Sequence, residues 1–274
     1  MKAICQLRIN NAFVNLLPKR IIGDNVGPVT IIKIEVGSPE YNLIHQIALK
    51  VFSEKSESFF YGWGITRSYS KSELANASLF HLEIKYVFEP TGEECGTTYD
   101  ESQTCEICGA NRKQVGSLVL KKGSIPKKDI AKTIGGEIVV SEKFVDVINK
   151  RNIKGARFKP INIERYFQFE STSKIELSTN TIVGINPFDL STRSENEVYK
   201  CPNGHTLGLN LISEVHVLSS RLIGEIDFLS SSQMVGVRRG YLQPEPIYFV
   251  SPDIKKIIEE EKLTGFEFHI ANID

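Results

Sequence analysis

The stretch Glu137-Ile138-Val139-Val140-Ser141-Glu142-Lys143-Phe144 changes its period within eight residues. A β-branched apolar run reads as a short strand, and Ser141 is a serine placed to cap a helix. Apolar positions then follow at helical spacing through Ile148, and Ile153, Gly155 and Phe158 open a second strand. The same order recurs 110 residues later as Ile247-Tyr248-Phe249-Val250-Ser251-Pro252-Asp253-Ile254, through Ile258, Leu263, Gly265 and Phe268. Strand–helix–strand units can converge on such a pattern by physics alone. The serine, the Phe or Ile, the Ile, the Gly and the Phe keep constant offsets, however, and this favours one unit used twice. The expected fold is α+β, in two related halves that each carry a strand–helix–strand unit.

Each unit follows a cluster of metal-ligand side chains. Cys105-Glu106-Ile107-Cys108-Gly109 precedes the first and Cys201-Pro202-Asn203-Gly204-His205 the second. Two cysteines with two residues between them fit a tight turn that aims both sulfurs at one point, and the following glycine permits the bend. Cys105, Cys108, Cys201 and His205 would complete a closed Cys3His tetrahedron holding a structural zinc ion that stitches the two halves together. Cys95, ten residues before Cys105, is the alternate ligand should Cys201 or His205 not serve. The competing reading is that these are buried cysteines of an intracellular protein that never meet a metal. The expected organisation is an N-terminal α+β segment over 1–88, a first half over 89–165 and a second half over 166–274, with a hinge near residue 165.

The 274 residues are 41% apolar, enough for a substantial core. Lys plus Arg and Asp plus Glu both number 33, so no global field recruits nucleic acid or a membrane. The first residues lack the apolar run of a signal peptide, and no uninterrupted apolar run of about 18 residues occurs. A soluble, cytoplasmic protein without a membrane partner is expected. Five cysteines, an odd number, disfavour a disulfide framework. Cys5, in a strand-like stretch, reads as a small buried hydrophobe.

Nearer the N-terminus, Val29 to Val36 reads as a strand, and Ser38-Pro39-Glu40 starts a helix that runs to about Phe52 with His45 on its polar side. Phe59-Phe60-Tyr61-Gly62-Trp63-Gly64 suits a core better than an interface. Ser70-Lys71-Ser72-Glu73 has the form of a capping box, and Phe80 to Phe88 alternates as a half-buried strand. Six acids and no base lie between Glu89 and Glu106, whereas seven bases face Asp129 alone between Arg112 and Lys132. Bases beside a zinc knuckle allow a nucleic-acid-binding zinc ribbon, yet no aromatic residue interleaves them as a stacking platform. His216 reads as packed and not ligating. Gly236-Val237-Arg238-Arg239-Gly240 could bind an anion or pair with Glu259, Glu260 or Glu261. No phosphate loop, His-Glu-x-x-His or Gly-x-Ser-x-Gly motif is present, so the expectation is a protein that is not an enzyme.

From Glu93-Glu94-Cys95-Gly96-Thr97 onward the chain resembles the double-CXXCG proteins, a bacterial family best known from Myxococcus, some of which act as immunity proteins in swarming-inhibition toxin systems. The residues that carry the resemblance are Cys105 to Gly109, Gly135-Gly136-Glu137-Ile138-Val139-Val140-Ser141, Gly155-Ala156-Arg157-Phe158-Lys159-Pro160, Cys201 to Gly208, Gly236 to Gly240 and the terminal unit from Ser251 to Phe268. It spans roughly the last two thirds of the chain. The second CXXCG is Cys-Pro-Asn-Gly-His here, with His205 in place of a cysteine. The resemblance implies an immunity protein that binds and blocks a cognate protein toxin; the alternative, from the residues alone, is the zinc-ribbon nucleic-acid binder.

Overall fold

Described here is a computed structural model, covering residues 1–191 and 199–274. The architecture is mixed α+β, mostly sheet with few helices. The chain divides into two compact units, Met1–Asn76 together with a segment from Asn186, and the remainder.

The first unit is a four-stranded antiparallel sheet of β1 (Lys2–Asn10), β2 (Asp24–Val26), β3 (Val29–Glu35) and β4 (Phe60–Ser68), in the order β2-β3-β1-β4. Period two turns Cys5, Leu7 and Ile9 inward against Ile32 and Ile34, and all are buried. Helix α1 (Pro39–Lys55) covers that face with Tyr41, Ile44 and Val51. Its start is the expected one: Ser38 Oγ accepts from the Tyr41 N–H at 3.1 Å, with Pro39 in the first turn. Its end lies three residues beyond Phe52, at Lys55, and the capping Ser56 is in the left-handed region. The aromatic run is largely core, with Phe59 buried and Trp63 half-buried on the same cluster, although Tyr61 faces outward. Ser70 and Glu73 exchange both capping-box hydrogen bonds at the start of α2 (Lys71–Asn76). Burial pushes the Cys5 thiol up to about 12, as befits a small hydrophobe. His45 departs from expectation. Its ring stacks on Phe188 at 4.6 Å and burial lowers its pKa, because the 3-10 helix Pro187–Ser191 returns here from far along the chain.

The second unit holds two larger sheets. Its strands are β5 (Phe80–Ile84), β6 (Val87–Phe88), β7 (Thr98–Asp100), β8 (Lys113–Val115), β9 (Ile130–Thr133), β10 (Ile138–Ser141), β11 (Ala156–Pro160), β12 (Tyr166–Ser171), β13 (Lys174–Ile175), β14 (Val183–Gly184), β15 (Asn210–Leu211), β16 (Val215–Val217), β17 (Phe228–Val235), β18 (Glu245–Val250) and β19 (Phe266–Ile273). One sheet has the order β11-β12-β10-β9-β6 and the other β13-β17-β18-β5-β19-β16, while β7 pairs with β8 and β14 with β15. Helices α3 (Glu142–Lys150) and α4 (Pro252–Glu260) are capped by Ser141 and Ser251, as read from the sequence. Residue 165, where the sequence suggests a hinge, lies between β11 and β12, which pair over five residues.

Both helices connect strands that are parallel yet not adjacent. β10 and β11 each pair antiparallel with β12, which lies between them; β18 and β19 each pair antiparallel with β5. The inserted strand comes from outside the β–α–β segment in each case. β5 precedes the first cysteine pair, and β12 follows the first strand–helix–strand segment. The exits of the two helices are held in matching ways. Asp129 accepts from Ser141 Oγ at 2.8 Å and from the Thr264 N–H at 2.8 Å. Asp227 accepts from Ser251 Oγ at 3.0 Å and from the Lys154 N–H at 2.9 Å. The next residues are the two glycines, in the left-handed region at φ 93° and 108°. A Cβ on Gly155 would lie 2.2 Å from the Phe228 carbonyl oxygen, and one on Gly265 would lie 2.3 Å from that of Ile130. Only glycine allows this approach.

Candidate metal centre

Two six-residue loops build the site. In the first, the Cys105 N–H donates to the Ala110 carbonyl at 2.8 Å; in the second, the Cys201 N–H donates to that of Thr206 at 3.1 Å. Each loop turns on a glycine with positive φ, Gly109 at 81° and Gly204 at 77°. The order differs: the first loop ends Cys108-Gly109, donor then glycine, and the second Gly204-His205, glycine then donor. Moving the bend by one residue lets the longer imidazole reach the point at which the thiol of the first loop is aimed.

The four donors Cys105, Cys108, Cys201 and His205 converge, with their ligand atoms all within 4.8 Å of one another. Cys105 Sγ lies 3.7 Å from Cys201 Sγ, and His205 Nδ1 lies 3.7 Å from Cys201 Sγ and 3.9 Å from Cys108 Sγ. A tetrahedral zinc ion with bonds of about 2.3 Å to sulfur and about 2.0 Å to nitrogen would separate its ligands by roughly 3.5–3.8 Å. The spacing therefore fits a tetrahedral ion, and the cysteines are free thiols and not a disulfide. Cys108 and Cys201 are almost completely buried, and Met234 packs against the cluster. Cys95 does not join it: its N–H closes a turn onto Thr91. His216 is held by Asp274 at 3.0 Å, in keeping with a packed histidine.

Backbone dipoles prepare the site for metal. The N–H groups of Cys108 and Ile107 lower the Cys105 thiol to about 6, while burial pushes Cys108 up to about 11. Thiols ligate a metal ion as thiolates, so uptake of an ion by such a site releases protons.

The sequence did not reveal what braces the loops. The Met234 N–H donates to the His205 carbonyl at 2.8 Å, and the Leu207 N–H returns to Met234 at 2.9 Å, so β17 supports the second loop. Just beyond β17, the Arg238 N–H donates to the Cys108 carbonyl at 3.1 Å. The Arg238 guanidinium makes a two-pronged pair with Glu101 at 2.8 and 2.9 Å, holding that carboxyl below its usual range. Its partner is thus Glu101 and not Glu259, Glu260 or Glu261, and Arg239 lies over the Tyr199 ring. Glycines around two arginines announce a tight turn without naming what the turn packs on.

The basic stretch is partly consumed internally. Arg112 pairs with Glu93 at 2.7 Å and Glu101 at 2.9 Å and lies over the Tyr99 ring; Lys132 pairs with Glu245, and Lys128 sits over Tyr86. Beside the first loop is a cavity of about 370 Å3 whose lining includes Asn111, Arg112, Glu137, Gln168 and Tyr248. Glu137 accepts from Tyr99 Oη, Thr133 Oγ1 and the Gly92 N–H, which occupies it structurally. Among the described residues, no helix is long and apolar enough to cross a membrane. No protein-family model matches the chain, and no curated protein matches it significantly.

Proposed function

We propose that this protein is a non-catalytic binding protein of the immunity type, which holds a cognate protein toxin on a surface braced by a structural zinc ion. The observation that carries the reading is the closed set of four donors. With Cys105, Cys108, Cys201 and His205 converging within 4.8 Å, a tetrahedral ion has no position left for substrate or water. Its work is then to lock two loops, and those loops and the turn hydrogen-bonded to them carry exposed apolar side chains. Ile107 is 61% exposed, Tyr241 46% and Leu242 48%, beside the 370 Å3 cavity that Gly109 and Tyr241 both line. Aromatic and aliphatic anchors of this kind suit a protein partner. The pairing of Arg112 and Lys132 with acids speaks against a nucleic-acid face.

We read the two strand–helix–strand segments as copies of a duplicated unit, completed by exchange of β5 and β12, with zinc joining the loop that precedes each. The matching bonds of Asp129 and Asp227 and the matching contacts of Gly155 and Gly265 support this.

The test is affinity capture from the native host with nuclease and high salt, followed by co-expression of the captured protein. One stoichiometric protein partner, toxic alone and harmless when co-expressed, is expected, and Ile107→Asp or Tyr241→Asp should abolish capture without loss of zinc. Recovery of nucleic acid alone would transfer the function to the lysines near the first loop.

A further inference from the structure

A histidine ligand differs from a thiolate in having a second nitrogen that must also be satisfied. His205 Nδ1 is the atom that faces the cysteines. Nε2 then carries the ring proton, and Asn111 Nδ2 lies 3.1 Å away; a half-turn of that side-chain amide exchanges its nitrogen for its oxygen and puts an acceptor at this place. Asn111 directly follows the first loop, two residues past Gly109, and holds a φ of 70°, a conformation that asparagine tolerates better than most residues. The contact is reciprocated. Asn203, in the second loop, points its Nδ2 at Cys105 Sγ in the first, at 3.8 Å.

We propose that Asn111 and Asn203 are positioning residues for the metal centre, each reaching across to orient a ligand on the opposite loop. With the Asn111 Oδ1 turned toward the ring, it accepts the Nε2–H of His205, fixes the tautomer that leaves Nδ1 free to ligate, and sets the plane of the ring. Asn203 donates to the Cys105 sulfur and spreads part of the thiolate charge, which three sulfurs around one divalent ion otherwise crowd together. Both side chains are exposed, so the effect belongs at the low end of the 10–100-fold range for such outer partners, about tenfold in affinity. The outer partners also explain how the second loop works with glycine before the donor. A bend displaced by one residue leaves the imidazole less constrained by its own loop, and the other loop supplies the missing restraint.

This inference rests on the metal reading, and one experiment separates the two. The full-length protein, stripped of metal under reducing conditions, is titrated with Zn2+ against a chromophoric chelator, and with Co2+ as a reporter of tetrahedral geometry. Asn111→Gly keeps the backbone conformation and removes the amide; Asn111→Asp keeps an acceptor. Wild type should take one equivalent, Asn111→Gly should bind about tenfold more weakly with an unchanged fold by circular dichroism, and Asn111→Asp should restore wild-type affinity. Nitrogen-15 spectra of the zinc-loaded wild type should show His205 protonated at Nε2. Equal affinity of Asn111→Gly and wild type, or protonation at Nδ1, would overturn the positioning role. A wild type that takes up no metal would instead remove the metal centre itself.

Discussion

The two split strand–helix–strand segments, β10–α3–β11 and β18–α4–β19, share a scaffold and differ at their far ends. In both, a serine caps the helix, an aspartate joins that serine to the exit turn of the other helix, and a glycine lets that turn meet a strand carbonyl. The hairpins that lead into them are unlike. β9 and β10 are joined by a few residues around Gly135-Gly136, whereas β17 and β18 are joined by a long excursion that carries Arg238 to the first cysteine loop. The shared part keeps the two sheets together, and the unshared part braces the loop that carries Cys105 and Cys108. The loops repeat this contrast, with one backbone bond in common and the donor displaced by one residue.

The largest expected effect tests whether the two loops act as one site. Cys108→Ser in the first loop and Cys201→Ser in the second should each abolish stoichiometric zinc and lower the melting temperature, since metal binding of this kind is coupled to folding by on the order of 10 kcal/mol. Metal analysis and thermal unfolding would check this. Loss in one variant with full zinc in the other would mean that the loops are not partners.

Next come the glycines. Gly155→Ala and Gly265→Ala should each destabilise by about 3 kcal/mol in denaturant unfolding, because a left-handed backbone and a carbonyl within 2.3 Å both oppose the methyl group. Similar losses would sharpen the equivalence, and tolerance at one position would break it. The aspartates should matter less, at about 2 kcal/mol each for Asp129→Ala and Asp227→Ala. The first should cost more, since Asp129 also accepts from Thr264 Oγ1 at 2.9 Å. The reverse order in a urea titration would show that these bonds do not carry the difference.

Much of this was legible in the residues. Ser38, Ser141 and Ser251 announced three helix starts, and all three cap, because an N-cap bond is local. The four donors were legible for a similar reason: thiols at a turn spacing narrow their own geometry, and only the meeting of the two loops was left to the fold. His45 was not legible, since its neighbour Phe188 lies far along the chain. Arg238 was not either, because a charge reveals its sign and not its partner.

Sequence alone determined where strands alternate, where helices begin, which residues turn, and which side chains could hold a metal, since all of these depend on neighbours within a few positions. Tertiary structure alone decided that β12 fills the gap between β10 and β11 and that β5 fills the one between β18 and β19. It also decided that Asn111 meets His205 across the loops. A strand's apolar alternation says which face is buried and nothing about which strand lies beside it, because backbone hydrogen bonds are the same for every partner.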